Sequence, residues 1–169
     1  FGLNNNVLDM NGFDLNFITA STLNGGTVLN PNVFSGFANL YGNINVVGNL
    51  TIEDTIQNYY NVDTYLNING SLSNNGLIRN HPTDDELYIT LSGDVTNNGD
   101  WLNQKTTLVG DHDQKIALVY DHPIDGQVVF NSEINAPYQW YYNGNILDSP
   151  DFNGETQANL EWLAPVSEV

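Results

Sequence analysis

The residues of this chain that could carry out chemistry are carboxylates in clusters, paired aromatics and a very small number of cations. Among the carboxylates, Asp84, Asp85 and Glu86 are consecutive, and Asp111 and Asp113 are separated by one residue. Hard oxygen ligands that cluster in loops are the ligands that Ca²⁺ takes, although neither stretch has the spacing of an EF-hand loop. The sequence therefore predicts two solvated acidic turns without a cofactor, with a calcium site as the alternative.

Two groups of aromatic residues could bind sugar. Tyr59 and Tyr60 are adjacent, and Trp140 and Tyr142 belong to a second aromatic stretch. Such rings have flat apolar faces with polar edges, on which pyranose rings can stack. We hypothesise a carbohydrate site at these four residues, whereas Trp101 is predicted to be part of the core.

Catalytic chemistry has few candidate residues. Polysaccharide lyases need a cationic base beside acidic groups, and the chain has only Arg79, Lys105 and Lys115 as Lys or Arg. Arg79 is near His81 and Asp84 in the sequence, but we expect it to lie on a loop and to neutralise neighbouring carboxylates. Glycoside hydrolysis needs two carboxylates across a cleft, and with 20 acidic residues such pairs are expected by chance. We expect no enzyme, and keep a lyase or glycosidase as an alternative.

The charge and the composition exclude several classes of partner. The chain has 3 basic and 20 acidic residues, a formal net charge of −17 and no cysteine. Such a charge repels phosphate backbones and anionic lipid, so we expect no nucleic-acid partner. No apolar run approaches the roughly 20 residues that a membrane helix needs, so we expect no membrane insertion. The 28 asparagines and the scarcity of lysine favour an extracellular or cell-surface location.

An internal repeat organises the first two thirds of the chain. Gly26, Gly48, Gly70 and Gly93 follow one another at a nearly constant interval. Each glycine is followed at fixed distances by two large apolar residues, which predicts two interior ladders. The two ladders are Val28, Leu50, Leu72 and Val95, and Phe34, Ile56, Ile78 and Trp101.

Around each glycine, apolar and polar residues alternate, as in half-buried strands. Because the alternating pattern recurs once per copy, equivalent strands should stack in parallel, coil on coil. The stretches 7–13 and 66–72 resemble the right-handed parallel β-helix repeats of large secreted bacterial surface proteins. We therefore predict an all-β fold, a parallel β-helix or solenoid whose coils each contain about 22 residues, a period within the range of solenoid repeats.

The C-terminal part has a different pattern. We predict solenoid repeats over residues 1–120, and a small β cap or partial β-sandwich over 121–169. Residues 138–147 weakly resemble the C strand and turn of an immunoglobulin-like domain. As a cap, the segment should pack on the last coil near Ile116 and Leu118, covering a strand edge that would otherwise be open.

The expected function is a non-enzymatic structural or adhesive module, such as a stalk, spacer or surface-assembly fragment of a larger secreted protein. Its partners would be other surface proteins or copies of itself. A carbohydrate-binding module, with polysaccharide as its partner, is the alternative.

Overall fold

The structure is a computed structural model. It describes residues 2–83, 85–109, 114–118, 122 and 124–129 with their side chains, and residues 130, 140–142, 145–146 and 156–160 by their backbone. All regular elements in this part of the chain are strands. Their bounds are β1 Val7–Asp9, β2 Leu15–Leu29, β3 Val33–Val47, β4 Leu50–Ile52, β5 Thr55–Asn58, β6 Thr64–Asn69, β7 Leu72–Asn74, β8 Leu77–Arg79, β9 Leu87–Leu91, β10 Val95–Asn97, β11 Asp100–Leu102, β12 Lys105–Leu108, β13 Gln114–Leu118, β14 Ile124–Phe130, β15 Trp140–Tyr142, β16 Asn145–Ile146 and β17 Thr156–Leu160.

The strands form a parallel β-solenoid with three faces, which confirms the predicted all-β class and architecture. The first face stacks the C-terminal parts of β2 and β3, then β6, β9, β12 and β14. The second face stacks β4, β7, β10 and β13. The third face stacks the middle of β3, then β5, β8 and β11.

Alternation of side chains builds the core. In β9 and β10, for example, Ile89, Leu91 and Val95 point inward, while Thr90 and Thr96 lie on the outer surface. The same alternation in every coil places the apolar residues in one continuous interior column. Stacked strands lie about 4.8 Å apart, so each buried side chain packs on the equivalent residue of the next coil.

The predicted ladders are correct in the central coils and wrong in the first copy. Leu50, Leu72 and Val95 are register partners, and so are Ile56, Ile78 and Trp101. Val28, however, lies opposite Val46, and Phe34 lies opposite Ile52. The coil that joins Val28 to Val46 is shorter than the interval from Gly26 to Gly48, so that interval does not correspond to one turn of the solenoid.

Gly48, Gly70 and Gly93 stack on one another in successive coils, and an asparagine takes the equivalent position in the coil before them. A Cβ on Gly70 would lie 2.2 Å from the Gly48 carbonyl oxygen, and one on Gly93 would lie 2.5 Å from Gly70. In the coil before these, the position next to Gly48 is Asn30, whose φ is +48°. Asparagine is one of the few non-glycine residues that tolerate this left-handed conformation. A search for glycine alone therefore misses the first member of the column.

The chain continues in parallel register beyond β13. Gln127–Phe130 of β14 pairs with Lys105–Leu108, and Trp140–Tyr142 pairs with Gln114–Ile116. The β17 strand then pairs antiparallel with β14. The remaining residues of the predicted C-terminal segment lie outside the described part, and the cap stays a prediction. Within that part, the structure has no helix with the length and apolar character needed to cross a bilayer.

Candidate functional site: a tyrosine corner of the solenoid

Exposed tyrosines gather at the corner where the third face turns into the first. Leu40 and Asn58 are the last buried residues of the third face in two successive coils, so the next residues, Tyr41 and Tyr59, point outward. The Tyr59 amide donates to the Leu40 carbonyl, which fixes the two coils in register at this point. The side chains of Tyr41 and Tyr59 are 37% and 40% exposed, and that of Tyr60 is 55% exposed.

Buried Asn58 holds the turn that carries these rings. Its Nδ2 donates to the Val62 carbonyl oxygen at 3.3 Å, and its Oδ1 accepts a hydrogen bond from the His81 amide at 2.6 Å. The first bond closes the turn within one coil, and the second fastens it to the next coil. A polar residue that is fully buried needs such partners, so the corner has a defined shape.

The rings contact one another from coil to coil. Tyr41 and Tyr59 meet edge to face, with ring centroids 5.8 Å apart. Tyr60 meets the ring of His81 in the same way at 5.6 Å. Aromatic contacts thus follow the long axis of the solenoid over three successive coils.

Tyr41 and Tyr59 also border a groove. The groove has a volume of about 400 Å³ and is lined in addition by Gly2, Asn4, Thr22 and Asn24. Asn24 is the register partner of Tyr41 on the neighbouring strand, so the backbones of these two residues lie one strand spacing apart. The groove therefore combines two aromatic side chains with amide and hydroxyl groups.

A second tyrosine pair lies on the first face, next to carboxylates. Tyr65 and Tyr88 are register partners, and their rings stack with centroids 5.1 Å apart and planes 13° from parallel. The Tyr88 hydroxyl donates to the carboxylate of Glu86, which raises the pKa of Tyr88 to about 12, with burial and the nearby charges of Glu86 and Asp63 adding to the effect. A tyrosinate at this position would face two negative charges, so the phenol keeps its proton.

The predicted carbohydrate residues separate into two groups. Tyr59 and Tyr60 are both exposed, as the hypothesis requires, and Trp101 is fully buried, as predicted for a core residue. For Trp140 and Tyr142 only the backbone is described, on a strand that pairs with β13. Their side chains lie outside the described residues.

The predicted calcium ligands are mostly outside the described residues too. Asp84, Asp111 and Asp113 belong to the undescribed positions, whereas Asp85 and Glu86 are described and half-buried. Where side chains are described, no three His, Asp or Glu residues gather closely enough to hold a metal ion. The expectation of no cofactor and its alternative, a calcium site, both stay predictions.

Arg79 does not lie on a loop. It belongs to β8, and its Nε donates to Gln57 Oε1 at 2.9 Å, while Gln57 Nε2 donates to Asn39 Oδ1 at 2.9 Å. Three coils are therefore linked by one chain of hydrogen bonds on the third face. The alternation of β8 sets this position, because Ile78 points into the core and its neighbour must point outward.

Sequence reasoning missed Asn103, whose buried amide is fully used. Its Oδ1 accepts from the Trp101 indole N–H at 2.7 Å and from Thr106 Oγ1 at 3.1 Å. Its Nδ2 donates to the carbonyl oxygens of Leu87 and Lys105.

Sequence reasoning also missed Tyr41. Its separation from Tyr59 equals the length of the local coil, which is shorter than the central ones, and a search that allowed such a short coil would have found it.

Comparison of the chain with protein-family models, with curated proteins and with solved structures gives no match.

Proposed function

We propose that this chain is a non-enzymatic structural or adhesive module, a stalk, spacer or surface-assembly segment of a larger secreted or cell-surface protein. The observation that supports this proposal is the use of polar side chains to connect coils. Asn67 Nδ2 donates to Asn45 Oδ1 at 3.2 Å, and Asn98 Nδ2 donates to Asn75 Oδ1 at 2.8 Å. The same residue types that could form a site instead tie each coil to the next.

The polar ladders continue inside the molecule. Asn74 Nδ2 donates to Asn97 Oδ1 at 2.8 Å, and Gln114 Nε2 donates to the Gly93 carbonyl at 2.8 Å, both within the buried interior. A solenoid is stabilised by contacts between neighbouring coils, so its length can change by whole coils without a change of fold. This arrangement suits a spacer, whose function depends on length and stiffness.

The charge favours a location outside the cell and constrains the partners. With a net charge of −17, copies of the chain repel each other at low ionic strength, and anionic surfaces repel it as well. We infer that its partners are other surface proteins, or copies of itself held together by strand edges. The proposed role requires no cofactor.

Removal or addition of one coil tests the proposal. In the full-length protein, residues 71–93 would be deleted or duplicated, since Leu72 and Val95 are equivalent positions of adjacent coils. A spacer should accept both changes, and the long axis should shorten or lengthen by about 4.8 Å. Small-angle scattering measures the length, and antibody labelling of intact producing cells measures surface display.

Two results would contradict the proposal. One is labelling confined to the cell interior. The other is a polysaccharide-cleaving activity of the unaltered protein that Arg79→Ala abolishes, since that would indicate a catalytic site.

A further inference from the structure

The groove beside Tyr41 and Tyr59 has the composition of a saccharide site. Its two rings are more than a third exposed although each directly follows a fully buried residue, Leu40 or Asn58. Three amide or hydroxyl side chains border the same space, those of Asn4, Thr22 and Asn24. Ligand pockets typically combine apolar and aromatic walls with a few placed polar groups, and their volumes begin near roughly 300 Å³. At about 400 Å³ this groove lies within that range.

Each part of the groove matches a part of a sugar. The C–H face of a pyranose ring is apolar and packs on the face of a tyrosine, while the hydroxyl groups at its rim bind amides. Asn24 and Tyr41 are register partners on neighbouring strands and line the same groove, so one sugar residue in the groove can contact both.

The charge of the chain selects the class of saccharide. Three basic residues stand against twenty acidic ones, and none of the groove-lining residues carries a positive charge. A uronate or a sulfated sugar would be repelled by the overall field and would find no cation to pair with. A neutral saccharide is not repelled by the charge of the chain and needs no cation to pair with.

The aromatic contacts also indicate the form of the ligand. Beyond the Tyr41–Tyr59 pair, Tyr60 and His81 continue the aromatic corner onto the next coil. An extended glycan that runs along the corner could contact both pairs, whereas a single sugar could not. We propose that the tyrosine corner binds a neutral, extended polysaccharide, with Tyr41 and Tyr59 as the stacking residues and Asn4 and Asn24 as hydrogen-bonding residues.

This inference rests on the adhesive form of the proposed function and gives it a ligand. It is tested on the whole chain by calorimetry and by affinity electrophoresis. The probes are soluble neutral glucans with α or β linkages and neutral xylan, with polygalacturonate as the acidic comparison. Tyr41→Ala and Tyr59→Ala should each weaken binding of a neutral glycan at least tenfold. Tyr59→Phe should keep most of the affinity, because the ring face is retained.

Tyr65→Ala is the matched control. Tyr65 is exposed to a similar degree, but it stacks on Tyr88 of the first face and does not border the groove. It should leave binding unchanged. Circular dichroism melts of every variant separate loss of the site from loss of the fold.

Three results would overturn the site: no neutral glycan bound at millimolar concentration, tighter binding of polygalacturonate, or an equal loss of affinity in Tyr65→Ala. The structural proposal is tested separately, by surface display of the coil-deletion variant. If that variant is still displayed while no glycan binds, only the saccharide site is wrong.

Discussion

The first coil and the central coils are built from the same residue types, yet their apolar side chains are buried to different extents. In the central coils Leu72, Ile78 and Leu91 are buried between equivalent residues above and below. In the first coil Val7, Phe13 and Ile18 are 60%, 69% and 78% exposed. Strand β1 stacks on β2, and among the described residues no other strand pairs with its second edge. Val7 pairs with Thr27 at an outward-facing position, while the inward-facing Leu8 pairs with Val28 and is only partly buried. Leu3, Phe17 and Leu23 are still buried, so the terminal coil has a core whose burial is less complete.

The comparison also explains how stability is distributed. A coil in the middle gains apolar burial and polar ladders from two neighbours, while a terminal coil gains them from one. Terminal edges of this kind are the places where solenoids add further strands or associate. We therefore expect substitutions in the central coils to be costly and matched substitutions in the first coil to be tolerated.

The largest difference is expected for apolar truncation. Leu72→Ala should lower the free energy of unfolding by about 2–5 kcal/mol, because it opens a cavity between Leu50 and Val95 that the flat stack cannot close. Val7→Ala, on exposed β1, should cost less than about 0.5 kcal/mol. Urea denaturation of both variants measures the difference, and equal effects would contradict a core that depends on stacking.

The next effect concerns close approach of backbones. A Cβ on Gly99 would lie 2.1 Å from the Gly76 carbonyl oxygen of the preceding coil, so Gly99→Ala must push two coils apart. Overpacking of this kind costs about 1–3 kcal/mol or more. In the first coil a Cβ on Gly2 meets only the flexible Asn4 side chain at 3.2 Å, and Gly2→Ala should be nearly neutral. Thermal melts of the pair test whether coil spacing sets this cost.

A buried polar residue should give a similar or slightly smaller loss. Asn103→Ala removes the acceptor of the buried Trp101 indole and two donated bonds, which should cost about 1–3 kcal/mol. Asn16→Ala, on an exposed position of the first coil, should change stability by less than about 0.5 kcal/mol. Retention of full stability by Asn103→Ala would show that the indole finds another acceptor, and near-ultraviolet circular dichroism of Trp101 would report the rearrangement.

Sequence patterns could predict the central coils because their lengths are nearly constant. The step from Asn45 to Asn67 is only one position shorter than the step from Asn67 to Thr90, so glycine and apolar positions recur in phase. The coil that ends at Val46 is shorter, and the search for one fixed spacing assigned Val28 and Phe34 to the wrong ladders. A search with one spacing fails here because a coil can be shorter at its corners while its strands still pair in parallel with the next coil.

The tyrosine corner could be predicted only in part. Tyr59 and Tyr60 are adjacent, so at least one exposed ring was expected from the sequence, and the structure exposes both. The contact with Tyr41 and the groove beside it depend on the local coil length. Asn103 could not be separated from the other asparagines, because the sequence does not show that its side chain is buried beside Trp101.

The smallest effect concerns the phenol of Tyr88, which donates to Glu86 of the same coil and stacks on Tyr65 of the preceding coil. Its pKa in the folded chain is about 12, above the ordinary value of 10.0. Because the folded state holds this proton more tightly, the resulting stabilisation is fully present below pH about 10 and is lost as the pH rises through about 12. Tyrosinate absorbance should therefore include an ionisation near pH 12 that Tyr88→Phe removes. Glu86→Gln should move this ionisation toward 10, since the glutamine carries no charge to oppose the phenolate. The first coil contains no tyrosine, and Phe13→Ala, as the control there, should leave the titration unchanged. Persistence of the late ionisation in Tyr88→Phe would assign it to another tyrosine and would contradict the role of Glu86.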